Sequence, residues 1–167
     1  MSYMNSIDKV NKLNKSDFIS IFGNVFEKSV WIAAQAYALK PFNNFEELFS
    51  KMIEIFENSK KENHLEILNA HPNLVIEKKL TDDSKKEQNS ANLNQCSEEE
   101  FKEFKDLNQK YKKKFGFPFI IAVKGKNRQK ILVNFRKRII NTIDLELEEA
   151  KQQVKKIATF RLREIIK

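Results

Sequence analysis

Residues that form turns are scarce in this chain, and their scarcity limits the folds that it can adopt. Glycine and proline occur three times each in 167 residues, whereas all-β sandwiches need a turn every few residues. The long stretches between them are rich in lysine and glutamate and carry apolar residues at helical spacing. We therefore predict an all-α fold, a single domain over residues 1–167 with about eight helices.

Helix boundaries are predicted from capping residues and from the glycine and proline residues that end helices. Residues 1–15 are polar and are expected to be loosely ordered. Helices are expected at 17–22, 25–39, 45–56 and 59–71, from 84, and at 97–115, 128–140 and 144–167, with caps at Ser16, Asn24, Asn44, Ser84 and Ser97. The longest apolar run, FGFPFIIAV at 115–123, is predicted to be extended from Phe117 to Val123.

His71 follows the end of a predicted helix and precedes Pro72. An imidazole suits proton transfer near neutral pH because its ordinary pKa lies there, and a turn fixed by proline would hold it rigidly. From residue type alone, His71 is either a catalytic acid–base group or a turn residue that bonds a helix carbonyl. His64 lies earlier, on a charged helix, and is expected at the surface.

Ser84, Glu87 and Gln88 form a second polar group in the same part of the chain. Ser84-x-x-Glu87 is a capping-box pattern, in which each side chain bonds the other's main-chain N–H, and this pattern alone would explain both residues. Gln88 lies outside the box and is not explained by it. The pattern leaves open whether Ser84 and Glu87 cap a helix or contact a ligand.

Arg161 is an anomaly in the last predicted helix. It lies on an otherwise apolar stripe formed by Ala150, Val154, Ile157, Ala158 and Ile165. A buried guanidinium needs a partner, because an unpaired buried charge is very costly. An anionic ligand or a buried carboxylate would serve, and a structural ion pair or a side chain that reaches the surface would explain the position equally well.

The formal charge of +8 suits an anionic partner, but the lysines are interleaved with glutamate and aspartate. Residues 124–138 are the candidate for a basic binding face, although Ile131, Leu132 and Phe135 within them look like core. A basic all-α module that binds nucleic acid or protein is therefore the alternative function class. It predicts binding to polyanions that weakens with salt.

Cysteine and histidine are too few for several other classes. The single Cys96 excludes an internal disulfide and suits a reducing compartment such as the cytoplasm. Two histidines and one cysteine argue against a metal site. The first 20 residues lack the apolar core of a secretory signal, and no apolar run reaches the roughly 18–20 residues of a membrane span.

Five segments together resemble one known family. They are FEKSVWIA (26–33), HPNL (71–74), S-x-x-EQ-x-x-A-x-L (84–93), F-x-x-LN-x-x-Y-x-x-KFGFPFIIAVKG (104–125) and KIATFRL (156–162). In this order and at this spacing they resemble the 2-oxo-4-hydroxy-4-carboxy-5-ureidoimidazoline (OHCU) decarboxylases of purine and urate breakdown. The resemblance covers nearly the whole chain, and the combination of HP, EQ and FGFPF is its specific part.

The resemblance implies a homodimeric, all-α carboxy-lyase that converts OHCU to (S)-allantoin without a metal or an organic cofactor. It implies catalytic roles for His71 as acid–base group, Glu87 at a substrate proton or hydroxyl, and Arg161 at an anionic group. It implies substrate contacts for six further residues, which are Pro72, Ser84, Gln88, Phe119, Ile121 and Ala122, the last three through the main chain. We expect the three catalytic side chains to meet in one water-poor hollow beside the Phe-Pro-Phe segment.

Two positions depart from the family pattern. The family commonly has aspartate after HP, where this chain has Asn73, and glycine where this chain has Asn92. Neither departure removes a proposed catalytic group, but loss of the glycine is expected to alter a turn near the site. A family member that keeps the fold and has lost the activity is therefore a further alternative.

Overall fold

The computed structural model describes residues 4–75 and 80–167. Within these ranges there are nine α-helices and one short 3-10 helix at Leu93–Gln95, and no strand. The α-helices are α1 (Ile7–Lys12), α2 (Lys15–Phe22), α3 (Val30–Tyr37), α4 (Phe45–Glu57), α5 (Lys61–Ala70), α6 (Asp82–Ser90), α7 (Glu98–Phe115), α8 (Arg128–Arg138) and α9 (Ile143–Ile165). The all-α prediction is confirmed. None of the helices in the described part of the chain is both long and apolar enough to span a membrane.

The chain forms two compact units. The first comprises the residues up to Ala70 together with Lys155–Lys167, and the second comprises His71–Val154. Helix α9 thus contributes residues to both.

The first unit is built on aromatic packing between its helices and turns. The ring of Phe18 on α2 lies 4.8 Å from that of Phe22 and 5.6 Å from that of Tyr37 on α3. Phe26 stacks on Phe56 of α4 at 5.1 Å. Such pairs add to the free energy gained from burying their large apolar areas. Leu48, Met52 and Phe56 form the inward face of α4 and are all fully buried.

The second unit is organised around Tyr111 of α7. Its ring lies 4.5 to 5.9 Å from the rings of Phe115, Phe117, Phe119 and Phe135. Phe119 and Phe135 also stack face to face, with centroids 3.9 Å apart. This cluster fixes the 117–123 segment, whose seven residues are all buried although none is in a helix.

Three features of the first unit differ from the sequence predictions. Within the residues predicted to be loosely ordered, 7–12 form α1, and the Asn11 amide makes two 2.8 Å hydrogen bonds with the main chain of Phe42; residues 1–3 lie outside the described residues. Helix α3 begins at Val30 and not at Val25, because Lys28 has φ of +50°, which an α-helix cannot accommodate. His64 is buried rather than exposed, with Nε2 2.6 Å from the carbonyl oxygen of Phe56.

Candidate active site

His71 begins the second unit, immediately after α5. The helix ends there because the residue before a proline is disfavoured in the α conformation. The imidazole is buried, and Pro72 is half-buried beside it in the chain. A buried imidazole on an irregular turn, next to a proline, has the surroundings expected of a positioned acid–base group.

The turn that follows His71 is held by two buried amide side chains. Asn108 of α7 donates to the carbonyl oxygen of Leu74 at 3.0 Å, and Gln88 of α6 accepts from the N–H of Val75 at 3.1 Å. Val75 has φ of +75°, which β-branched residues rarely adopt. Strained conformations of this kind persist only where the surroundings over-determine them, and they concentrate at functional sites.

Helix α6 begins three residues earlier than predicted from a cap at Ser84. Thr81 is the N-cap, and its hydroxyl accepts from the N–H of Ser84 at 3.2 Å. The prediction that Ser84 starts the helix is therefore wrong, and a capping box does not account for Ser84 and Glu87. Ser84 and Gln88 are both buried one turn apart, and Glu87 lies half-buried between them. Residues at this spacing share one face of a helix.

Within the described part of the chain, only some main-chain groups of the 117–123 segment are hydrogen-bonded. Arg138 Nη1 donates to the carbonyl oxygen of Ile120 at 2.6 Å. The N–H of Ala122 donates to Gln153 Oε1 at 2.9 Å, and its carbonyl oxygen accepts from Lys126 Nζ at 2.9 Å. Within residues 4–75 and 80–167, the N–H and C=O groups of Phe119 and Ile121 have no hydrogen-bond partner.

A buried ionic network supports this segment. Glu146 is fully buried and accepts from Tyr111 Oη at 2.6 Å, from Arg138 Nε at 2.7 Å and from Asn141 Nδ2 at 3.1 Å. The Arg138 guanidinium also lies 4.4 Å from the centre of the Phe119 ring. Burial, and then the adjacent Glu146 carboxylate, raise the pKa of Tyr111 well above its ordinary value. A charge pair with this many hydrogen bonds holds Ile120 in a fixed position.

Helix α7 carries both segments on one face. Asn108 bonds the turn after His71, and Tyr111, one helical turn later, contacts Phe117 and Phe119 edge-on. Residues three apart on a helix are neighbours on its surface. The turn that bears His71 and the buried segment with Phe119 and Ile121 are therefore attached to adjacent positions of a single rigid element.

Arg161 lies in the first unit, in the part of α9 after Lys155. It is buried, and its Nη2 donates to Glu27 Oε2 at 2.8 Å while Nη1 donates to the carbonyl oxygen of Asn24 at 2.8 Å. The position of Arg161 on an apolar stripe left open whether its partner is an anionic ligand or a buried carboxylate. The structure contains the buried carboxylate, which is that of Glu27. That Arg161 joins His71 and Glu87 around one substrate stays a prediction.

The two departures from the family pattern have definite surroundings. Asn92, where the family commonly has glycine, has φ of +58°, and asparagine is among the few residues other than glycine that adopt this conformation readily. Arg128 donates to its carbonyl oxygen at 3.1 Å. The left-handed turn that glycine would form is therefore present. Asn73 is half-buried, and among the described residues its Oδ1 has no donor.

Several buried polar residues were not singled out from the sequence. They are Glu27 in the first unit and Asn108, Arg138, Glu146 and Gln153 in the second. The signal in a sequence that can identify such residues is a polar side chain on an otherwise apolar face of a helix. Arg161 was identified by this signal. Within the described ranges, no group of three or more His, Cys, Asp or Glu side chains is arranged to hold a metal ion.

Comparisons with known proteins all point to one family. A family model described as OHCU decarboxylase matches residues 11–163. The 2-oxo-4-hydroxy-4-carboxy-5-ureidoimidazoline decarboxylase of Haloferax volcanii is 36% identical over 159 residues, which are 95% of this chain and 95% of that protein. The uric acid degradation bifunctional protein of Bacillus sp. (strain TB-90) is 40% identical over 98% of this chain. The chain spans 33% of the length of that relative.

Solved structures agree with the sequence relatives. A crystal structure of (S)-allantoin synthase superposes with a TM-score of 0.80 at 26% identity, and covers 97% of this chain and 54% of that one. A crystal structure of OHCU decarboxylase in the presence of (S)-allantoin superposes with a TM-score of 0.72 at 25% identity, and covers 92% of this chain and 99% of that one.

Proposed function

Because the chain belongs to the OHCU decarboxylase family, we propose that it removes CO2 from OHCU and yields (S)-allantoin. The observation that carries the proposal is the arrangement on α7 in the second unit. There, one helix holds the turn with a buried imidazole and a buried main-chain segment whose amide groups at Phe119 and Ile121 are unpaired among the described residues. This arrangement supports the roles that the family resemblance implies for His71, Glu87 and Gln88.

The reaction has two physical requirements that these residue types meet. When the carboxylate leaves as CO2, the bonding electron pair stays on the ring carbon and must be delocalised into the imidazoline. A proton must then reach the neighbouring, ureido-bearing carbon on one face, while the hydroxyl loses its proton and becomes the ring carbonyl. Protonation from bulk water would give both enantiomers. A positioned acid supplies that proton stereospecifically and contributes roughly 10²–10⁴-fold to the rate.

We assign the roles as follows. His71 is the acid–base group that delivers or steers the proton. Glu87 bonds or deprotonates the substrate hydroxyl, and Arg161 orients an anionic group of the substrate. Pro72, Ser84 and the amide donor of Gln88 line the substrate. The acid–base steps need no metal or organic cofactor.

The main-chain contacts differ among the three residues assigned to them. Phe119 and Ile121 offer N–H and C=O groups that suit the urea and lactam groups of the substrate. Both main-chain groups of Ala122 are bonded within the protein, to Gln153 and Lys126. A contact between Ala122 and the substrate stays a prediction, and it would use the methyl group.

The test is an assay of freshly prepared OHCU, in which circular dichroism follows the appearance of (S)-allantoin. We expect enantioselective production by the wild-type protein and a loss of at least about a hundredfold in His71→Ala, with an unchanged far-ultraviolet spectrum. Glu87→Gln should lose rate at an unchanged melting temperature, because Glu87 is inside α6 and does not cap it. Near-normal production of (S)-allantoin by His71→Ala would refute the assignment of His71.

The same assay separates the alternatives. A basic binding module would bind polyanions with a steep salt dependence and leave OHCU to decay to racemic allantoin. A silent family member would have the same helices and no turnover. The family membership and the solved relatives favour the decarboxylase over both.

An oligomeric state and a cellular location are proposed together with the activity. We propose that the protein is a homodimer in the cytoplasm. Exposed apolar side chains support a self-association surface, among them Ile140, Ile143 and Leu145 of the second unit. The single cysteine suits a reducing compartment. Light scattering after size-exclusion chromatography tests the dimer, and a monomeric mass at micromolar concentration would contradict it.

A further inference from the structure

We propose that Gln153 is a positioning residue for substrate recognition: it fixes the main chain at Ala122 so that the amide groups of Phe119 and Ile121 are presented to the substrate. The inference rests on the proposed function. It concerns a residue of α9 that carries no role in the acid–base chemistry, and it assigns that residue to binding rather than to the chemical step.

Hydrogen bonds within the described part of the protein occupy only part of the main chain of the 117–123 segment. In an extended chain, the N–H and C=O groups of one residue point to one side and those of the next residue to the other. The C=O of Ile120 and both main-chain groups of Ala122 are bonded by protein side chains, through Arg138, Gln153 and Lys126. Neither main-chain group of Phe119 or of Ile121 has a partner within the described residues.

The groups that remain are buried main-chain donors and acceptors. Phe119 and Ile121 are both buried, and buried main-chain groups are almost always paired with protein, water or ligand. Two residues at alternate positions offer donor and acceptor pairs in the pattern by which a lone strand recognises another amide-bearing chain. A ligand with adjacent N–H and C=O groups, as in a urea or a lactam, matches that pattern.

Gln153 sets the orientation of the Ala122 peptide. It is buried, and its Nε2 donates to Glu149 Oε1 at 2.8 Å. Because Glu149 accepts from the amide nitrogen, the carbonyl oxygen of Gln153 must face Ala122, and it accepts from that N–H at 2.9 Å. If this bond is lost, the Ala122 peptide is released from one of its side-chain anchors, and the peptides on either side of Ile121 can rotate.

Gln153 is also the anchor that can be changed without exposing a buried charge. Replacement of Arg138 would leave Glu146 buried without its cation and would destabilise the whole unit. Gln153→Met keeps the volume and the apolar stem of the side chain and removes the acceptor. Gln152, the exposed neighbour on the same helix, provides the matched control Gln152→Met.

The experiment measures KM and kcat with OHCU, the Kd for (S)-allantoin by calorimetry, and the hydrogen exchange of the Ala122 amide. In Gln153→Met we expect faster exchange at Ala122 and a rise of about tenfold in KM and Kd, the size of one lost hydrogen bond. We expect kcat to stay within about twofold and its pH profile to keep its shape, because His71 and Glu87 are untouched. Gln152→Met should match the wild type in every measurement.

A double variant tests the geometry directly. Glu149→Gln with Gln153→Glu exchanges the amide and the carboxylate, so that residue 153 still offers an oxygen to Ala122 and now accepts from residue 149 instead of donating to it. We expect this exchange to restore KM and Kd to within about threefold of the wild-type values. A structural role of Gln153 alone would change the melting temperature and the active fraction without changing KM.

The possible failures are distinguishable. If the wild-type protein neither converts OHCU nor binds (S)-allantoin, the proposed function is wrong. If it does both, while Gln153→Met shows fast exchange at Ala122 and an unchanged KM, the inference about Gln153 is wrong and the function stands. A fall in kcat at constant KM, or an exchanged double variant that binds as poorly as Gln153→Met, overturns the inference as well.

Discussion

Buried amide side chains do much of the positioning in the second unit, and Gln88 shows how one residue can have two tasks. Its carbonyl oxygen accepts a hydrogen bond from the N–H of Val75 at 3.1 Å. The amide nitrogen is therefore the group that can donate to a substrate. The same side chain therefore holds the turn after His71 and offers a donor from α6. Loss of Gln88 should affect both stability and activity.

This gives a prediction for Gln88→Met. The N–H of Val75 would lose its acceptor in a half-buried turn at positive φ, so the free energy of unfolding should fall by about 1 kcal/mol. The value of kcat/KM should fall by about tenfold or more because the amide donor is lost as well. Urea denaturation and the OHCU assay measure the two effects. Gln109→Met, an exposed change on α7, is the control, and equal stability of both variants would contradict the holding role.

At the residue scale, the sequence identified side chains whose type is unusual in its setting. His71 was found from its position on a proline turn and Arg161 from its position on an apolar stripe. Their partners could not be found in that way. Glu27 precedes Arg161 by 134 positions, and no local pattern links residues that far apart. The roles of Asn108 and Gln153 likewise become clear only when the carbonyl oxygen of Leu74 and the N–H of Ala122 are located.

Helix boundaries show which local signals are reliable at the scale of elements. The capping box at Ser97 and Glu100 is present with both of its hydrogen bonds, and Asn44 caps α4 as predicted. The predicted caps Ser16 and Asn24 do not begin helices, because Asn14 caps α2 and α3 starts at Val30. Capping residues are frequent in this chain, so the pattern fixes the presence of a helix better than its first residue.

Helix α6 provides the prediction at this scale. Thr81→Ala removes the hydroxyl that accepts from Ser84 N and should lower the free energy of unfolding by about 1 kcal/mol. Thr81→Ser keeps the acceptor and should restore most of that loss. Chemical denaturation followed by circular dichroism measures both. If Thr81→Ala were as stable as the wild type, Thr81 would not be the cap that holds the start of α6.

At the scale of the whole molecule, charged side chains are dispersed over the exposed faces and concentrated in the interior of the second unit. The surplus of lysine and arginine that gives +8 is interleaved with acidic residues along the exposed faces. The interior of the second unit holds Glu146 with Arg138, and it keeps the neighbouring Tyr111 in its neutral form. Tyr111 should therefore contribute to the loss of stability at high pH.

The sign of this dependence follows from the raised pKa of Tyr111. The unfolded chain releases the phenolic proton at its ordinary pKa of about 10, while the folded protein retains it. Above that pH the folded state binds more protons, so stability should fall as pH rises, by about 1.4 kcal/mol per pH unit from this group. The test compares urea denaturation of the wild type, Tyr111→Phe and the control Tyr37→Phe between pH 8 and 11. An identical slope for wild type and Tyr111→Phe would contradict the prediction.

The pairing of Glu27 with Arg161 constrains how this lineage can vary. Glu27 is 0% exposed and Arg161 is 5% exposed, so replacing either one alone would strand an opposite charge in a dry interior. Sequences that drift at one of these positions should drift at the other in the same step. A newly sequenced homologue that keeps the histidine–proline signature but differs at both positions would have a different packing in this part of its interior. Such a homologue should be assayed for an altered substrate preference.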